Sequence, residues 1–124
     1  MNEAELKKRT KVFGLRVMKL VGALPNDSVG RAIGSQLIRS GTSVGANYRA
    51  ACRGRSKAEF VAKLGIVIEE ADESGYWMEL ITEGELLPAA RVESLMDEAD
   101  QITAIMVASR KSAQQALKAT KGDK

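Results

Sequence analysis

Gln36-Leu37-Ile38-Arg39-Ser40-Gly41-Thr42-Ser43-Val44-Gly45-Ala46-Asn47-Tyr48-Arg49-Ala50-Ala51-Cys52-Arg53-Gly54-Arg55-Ser56 carries the chain out of one long helix and into the next. It holds the end of a long helix, a basic corner at Arg53-Gly54-Arg55, and the cap of the next helix. Leu37, Val44 and Tyr48, with Ile33 before them, mark an apolar face at helical spacing. Beside that face, Gln36, Ser40, Ser43 and Asn47 recur at steps of four, three and four. This polar stripe reads either as a solvated helix face or as a polar seam that fixes register or forms a subunit interface. Its short side chains, in place of Lys and Glu, favour the seam.

Working outward, Ser56-Lys57-Ala58-Glu59 fits a capping box, with Ser56 capping and Glu59 reaching back. A helix follows over about 56–83, its seam carried by Phe60, Leu64, Val67, Ile68, Ala71, Met78 and Ile81. The preceding helix covers about 28–52, with Asp27 or Ser28 as its cap. A first helix is predicted over about 4–24, where Leu6, Phe13, Val17, Leu20 and Leu24 line up and Gly22 and Pro25 end it. Gly84 and Pro88 bracket the last break. Val92, Leu95, Ala99, Ile102 and Met106 then carry a fourth helix over about 89–116. Residues 118–124 read as a basic, frayed C-terminal tail. Four long amphipathic helices with short connections make residues 1–117 an all-α, antiparallel up-down-up-down four-helix bundle.

Composition limits the chemistry. The chain has 124 residues, enough for one domain with its own core, and aromatic residues make up only 4%, which suits helices of Leu, Ala, Val and Ile. There is no histidine, so the commonest general base and transition-metal ligand is missing. The single cysteine, Cys52, allows neither an internal disulfide nor a multi-cysteine zinc site. Its position beside Arg53 invites a depressed pKa, but without a histidine partner it reads as a small, semi-buried residue rather than a catalytic thiol. No apolar run reaches membrane-spanning length, and Met1 to Arg9 lack the apolar stretch of a signal peptide, so a cytoplasmic protein is the expectation.

In an antiparallel hairpin turning near residue 54, facing positions sum to roughly 108. That places Arg39 beside Glu69 and Glu70, Ser43 beside Gly65, and Ser35 beside Glu73 and Ser74. It also places Gly34, Gly41 and Gly45 opposite the neighbourhood of Gly65 and Gly75. Each helical glycine costs about 1 kcal/mol against alanine, so close backbone approach is expected there, between these helices or between subunits. Glu69 and Glu73 share a face. Carboxylate sites in bundles pair Glu with Glu-x-x-His, so an acidic face with an ion pair to Arg39 is the expected role, and no metal or cofactor is expected. Tyr76-Trp77 reads as packing or interface.

Charge is unevenly placed. The net charge is +3. Lys8 and Arg9 near one terminus, Arg53, Arg55 and Lys57 at the corner, and Lys111 and Lys118 near the other terminus would collect at one pole of an up-down bundle. Such a pole could contact phosphates. Complementary packing of basic and acidic faces between subunits is the competing reading. No aromatic platform accompanies the basic residues, which argues against base stacking.

Gln36-Leu37-x-Arg39-Ser40-x-x-Ser43-Val44-x-Ala46-Asn47-Tyr48, followed by Arg55-Ser56-x-x-Glu59-Phe60, resembles the bacterial four-helix-bundle proteins encoded in intervening sequences of 23S ribosomal RNA genes. Glu69-Glu70-Ala71-Asp72-Glu73-Ser74 and Tyr76-Trp77 are similar to one branch of that family, and the likeness covers about residues 10 to 107. The resemblance implies a ring, typically a homopentamer. It also implies kinship with the accessory variability protein of diversity-generating retroelements, a basic pentameric barrel that partners a reverse transcriptase and nucleic acid. Many members carry an Asn-x-x-Glu-Gly pattern after the serine stripe. Here Asn47-Tyr48-Arg49-Ala50-Ala51 has alanines instead.

The expected function is therefore a non-enzymatic, self-associating scaffold that binds RNA or DNA through Arg53, Arg55, Lys57, Lys8, Arg9, Lys111 and Lys118. Gln36, Arg39, Ser40, Ser43, Asn47, Glu69 and Glu70 are expected to form a structural polar network or interface. The alternative is an accessory subunit that binds a protein such as a polymerase without touching nucleic acid.

Overall fold

The first three helices begin where a side chain satisfies free amides. Asn2 Oδ1 accepts from Glu5 N at 2.8 Å, Asp27 Oδ1 from Gly30 N at 2.8 Å, and Ser56 Oγ from Glu59 N at 3.1 Å. Glu59 does reach back, but to the amide of Arg55 at 3.2 Å, one residue before the cap. The computed structural model of the chain describes residues 1–122. From these caps run α1 (Glu3–Gly22), α2 (Ser28–Cys52) and α3 (Lys57–Glu83), and α4 (Glu93–Gly122) follows a single 3-10 turn at Ala89–Arg91.

Two boundaries differ from the sequence expectation. α1 stops at Gly22, short of Leu24, because the amides of Ala23 and Leu24 bond back to the carbonyls of Leu20 and Val21 in a tighter turn ahead of Pro25. The fourth helix starts at Glu93, not at 89, because the turn after Pro88 closes first through Val92 N to Ala89 O. It then continues past 116, since Ala, Gln, Leu and Lys are strong helix formers and no breaker intervenes. Lys118 therefore sits on a helix rather than in a frayed tail; the last part of that expected tail, residues 123–124, lies outside the described residues.

Neighbouring helices run antiparallel. Thr10 of α1 lies beside Gly45 of α2 and Val21 beside Gly34. Gly65 of α3 lies beside Arg110 of α4, and Thr82 beside Met96. α1 and α4 close the square over a shorter stretch, where Arg9 reaches Glu98 and Arg16 reaches Ser94. Phe13, Leu37, Leu64, Met78, Ile102 and Met106 are fully buried in one continuous core fed by all four helices. Burying a side chain of this size contributes about 1.5–3 kcal/mol. No helix among the described residues is long and apolar enough to cross a membrane.

The glycines pack differently from the expectation. Gly34, Gly41 and Gly45 face α1, not Gly65 and Gly75 of α3. A Cβ on Gly41 would lie 2.7 Å from both methyl carbons of Val17, and one on Gly45 would lie 3.2 Å from the Thr10 carbonyl oxygen. A Cβ on Gly14, from the α1 side, would already meet the Thr42 backbone at 3.7 Å. Gly65 instead lies under the Arg110 guanidinium, and a Cβ on Gly75 would meet nothing within 4 Å. Adding seven residues and then four along a helix returns nearly to the same face, which is why these three glycines form one line.

This assigns opposite signs to two alanine substitutions. Gly41→Ala should lose about 1–3 kcal/mol by overpacking against Val17, whereas Gly75→Ala should gain about 0.5–1 kcal/mol of helix propensity. Urea denaturation of both variants checks it, and a gain for Gly41→Ala would overturn the close-approach account.

Candidate functional site

The corner between α2 and α3 places Arg53, Arg55 and Lys57 in solvent at one end of the bundle. The start of α1 reaches the same end. Glu3, Tyr48, Cys52, Arg55, Lys57 and Phe60 line a hollow of about 350 Å³. The late turns of α4 reach it too, with Lys111 and Lys118 beside Val61 near the start of α3. Five of the expected phosphate contacts thus gather at this pole.

The other two do not. Arg9 points away from the pole and is engaged across the α1–α4 seam. Its Nε donates to one Glu98 oxygen at 2.8 Å and its Nη2 to the other at 2.7 Å, with Gln101 Oε1 at 2.8 Å as a third partner. The two ion-paired side chains are only 21% and 17% exposed. A bidentate pair half out of water has little freedom to turn to a phosphate. Lys8 lies further along α1, in a separate depression shared with Lys11 and Arg49.

The pole is not purely basic. Glu3 pairs with Lys7 at 3.2 Å. Its carboxyl is held below the ordinary range by a hydrogen bond from Cys52 and then by Lys7. Cys52 is pushed up, first by burial and then by Glu3, and not down as its place beside Arg53 invites; it is half-buried, in keeping with the small, semi-buried residue expected there. Tyr48 is pushed up as well, first by burial and then by Cys52.

The expected polar network divides into two parts. On the α2–α3 face, Arg39 is ion-paired with Glu70 at 3.2 Å and with Glu73, and Trp77 Nε1 donates to Glu73 Oε2 at 3.0 Å. Deeper in, the Ser74 hydroxyl has Ser40 Oγ at 3.0 Å and the Glu70 carbonyl at 2.8 Å within reach, while Ser40 donates to the Leu37 carbonyl at 3.2 Å. The serine pair is buried, and no polar side-chain atom buried in the described residues lacks a partner. Ser43 and Asn47 bond back to their own helix, at the carbonyls of Arg39 and Ser43. Gln36 and Glu69 are exposed and stand outside the network. Ser74 faces Ser40 rather than Ser35, so the true register runs a little further along α3 than the simple hairpin sum.

Glu73, Ser74 and Trp77 were not among the expected network residues, although Glu73 lies one helical turn beyond Glu69. The larger omission is on the outer face of α1 and α2. There Gly14, Leu15, Met18, Thr42 and Gly45 floor a groove of about 630 Å³, with Lys7, Lys8, Lys11 and Arg49 around it. Leu15 is 56% and Met18 50% exposed. Their signal in the sequence is an apolar pair falling off the seam of α1, next to a glycine.

Charge divides by layer. α1 carries six Lys or Arg against two Glu, and α2 carries three arginines and no acid. α3 carries seven acids against two lysines.

Together these features define an all-α four-helix bundle with a segregated surface charge and a small buried polar lock. The 23S rRNA-intervening sequence protein model matches residues 2–108, and the chain belongs to that family. Among solved structures, a crystal structure of a protein with unknown function from the S23 ribosomal protein family of Bacteroides thetaiotaomicron is 32% identical, with a TM-score of 0.83. The match covers 90% of this chain and 99% of that one. No curated protein matches.

Two pH effects follow. The Arg9 hydrogen bond, more than its charge, holds the Glu98 carboxyl below the ordinary range against a smaller opposing effect of burial. A depressed carboxyl stabilises the fold above its unfolded pKa and loses that contribution as pH falls through the lower folded value. Glu98→Gln should therefore cost about 1–2 kcal/mol at neutral pH and flatten the loss of stability below the ordinary carboxylate range, as read by denaturation at a series of pH values. Glu73 is likewise lowered, first by Trp77 and then by Arg39. Trp77 is the single tryptophan, so acid titration of its fluorescence should show a step below the ordinary carboxylate range that Glu73→Gln abolishes.

Proposed function

We propose that this protein is a non-enzymatic, self-associating scaffold, ring-shaped as its resemblance implies, that binds nucleic acid through its basic pole. The observation that carries the reading is the gathering of Arg53, Arg55, Lys57, Lys111 and Lys118 at one end. Among the described residues, the ion-paired cations are Lys7, Arg9 and Arg39, so these five remain available. Cations held without carboxylate partners favour a polyanion whose counterions are released on binding. The five contacts are all cations, and Tyr48 in the adjoining hollow is buried, so the recognition would be of backbone phosphates rather than of bases.

A second reading is favoured by the polar face around Arg39, Glu73 and Trp77. In it, the bundle is an accessory subunit that recruits a polymerase or reverse transcriptase, and the basic pole is incidental.

Anisotropy titration of nuclease-treated protein with labelled structured RNA and single-stranded DNA separates the two. Micromolar or tighter binding that weakens as salt rises is expected, with Arg53→Glu/Arg55→Glu weakening it at least about tenfold. No binding at low salt would overturn the nucleic-acid reading and leave the protein-partner reading.

A further inference from the structure

The groove between α1 and α2 has a counterpart elsewhere on the same molecule. Its floor is backbone and apolar side chain, because Gly14 and Gly45 present no side chain and Thr42 is turned back onto the Ile38 carbonyl at 2.6 Å. Four cations surround it, and no carboxylate lines it. The outer face of α3 is the reverse. Tyr76 is 52% and Ile66 37% exposed there. Tyr76 has Asp72 one turn before it and Glu79 one turn after it, both in solvent. Ile66 and Tyr76 are ten residues apart, about 15 Å of helix, the same length as from Lys8 to Met18 along the groove.

We propose that the α1–α2 groove of one copy receives the acidic outer face of α3 of a second copy, head to tail, with Tyr76 seated over Leu15 and Met18. This rests on the self-association proposed above and adds which two surfaces meet. The occupant is a second copy because this chain itself carries an apolar anchor bracketed by carboxylates, the charge pattern that a cation-rimmed apolar groove selects. The small residues of the floor let a helix approach closely, which ordinary helix pairs with larger side chains cannot do. Because the two surfaces are different patches, each copy keeps one free groove and one free α3 face after pairing, and the arrangement closes as a ring or continues as a filament. The basic pole, at the end of the bundle, stays uncovered.

Sedimentation velocity of the wild type and of two face variants tests the assignment. Leu15→Glu/Met18→Glu spoils the groove and leaves α3 intact; Tyr76→Lys/Glu79→Lys does the reverse. All four positions are exposed, and circular dichroism confirms folding; Lys11→Glu/Arg49→Glu stands in if the first variant fails to fold. The wild type should associate, and each variant should be monomeric. Their mixture should form a one-to-one dimer and stop there, because one intact groove and one intact α3 face remain. If the wild type associates and either variant still assembles, or the mixture stays monomeric, the pairing of these surfaces is wrong while self-association stands. A wild type that is monomeric throughout overturns both.

Discussion

The close approach of α1 to α2 shapes both the interior and the surface of this bundle. Gly14 meets the backbone of Gly41 and Thr42, and Gly41 leaves only enough room for the methyl groups of Val17. Three glycines inside one helix lower its intrinsic stability, each by about 1 kcal/mol. That cost is offset only because the two helices interlock at a distance that side chains would prohibit. The same approach shapes the exterior. Where the glycines have no side chain to fill the seam, the α1–α2 surface sinks into a groove and leaves Leu15 and Met18 in solvent.

Polar pairing sets the register of the next helix pair. Ser40 and Ser74 meet in the dry interior, so a shift of α3 along α2 by one residue would break the bond between them and leave each hydroxyl only the carbonyl of its own helix. Arg39 reinforces the same register from the outside by reaching Glu70 and Glu73, a half-exposed arrangement whose worth lies more in geometry than in energy. Apolar side chains fill the space between these fixed points.

Much of the architecture was legible in the sequence. The heptad-like seam, the capping serine and aspartate, and the breaks at Pro25 and Pro88 located four helices, and hydrophobic periodicity alone implied a bundle. The family followed from the Ser40–Ser43–Asn47 spacing and the Glu70–Glu73 run. Which neighbour each glycine faces was not legible. α2 contacts both α1 and α3, and the period of its glycines is the same whichever helix they serve. Arg9 presented a similar difficulty. A cluster Lys7-Lys8-Arg9 reads as one basic patch, yet successive residues point about 100° apart around a helix, and only Arg9 faces α4. The end of α4 is hidden in the sequence because its polarity resembles that of a frayed tail, whereas Ala, Gln and Lys sustain a helix without any apolar stripe.

Among the described residues, each helix packs mainly on the helix next to it in the chain, and the α1–α4 seam is the main contact between distant segments. Its bridges, Arg9 to Glu98 and Arg16 to Ser94, are polar and near the surface. Local contacts of this kind need little loop closure before they are rewarded. The pairs α1–α2, α2–α3 and α3–α4 are each built from segments that follow one another in the chain, and the seam alone needs the two ends of the chain brought together. A topology of this kind belongs with the helical proteins whose local contacts make folding fast.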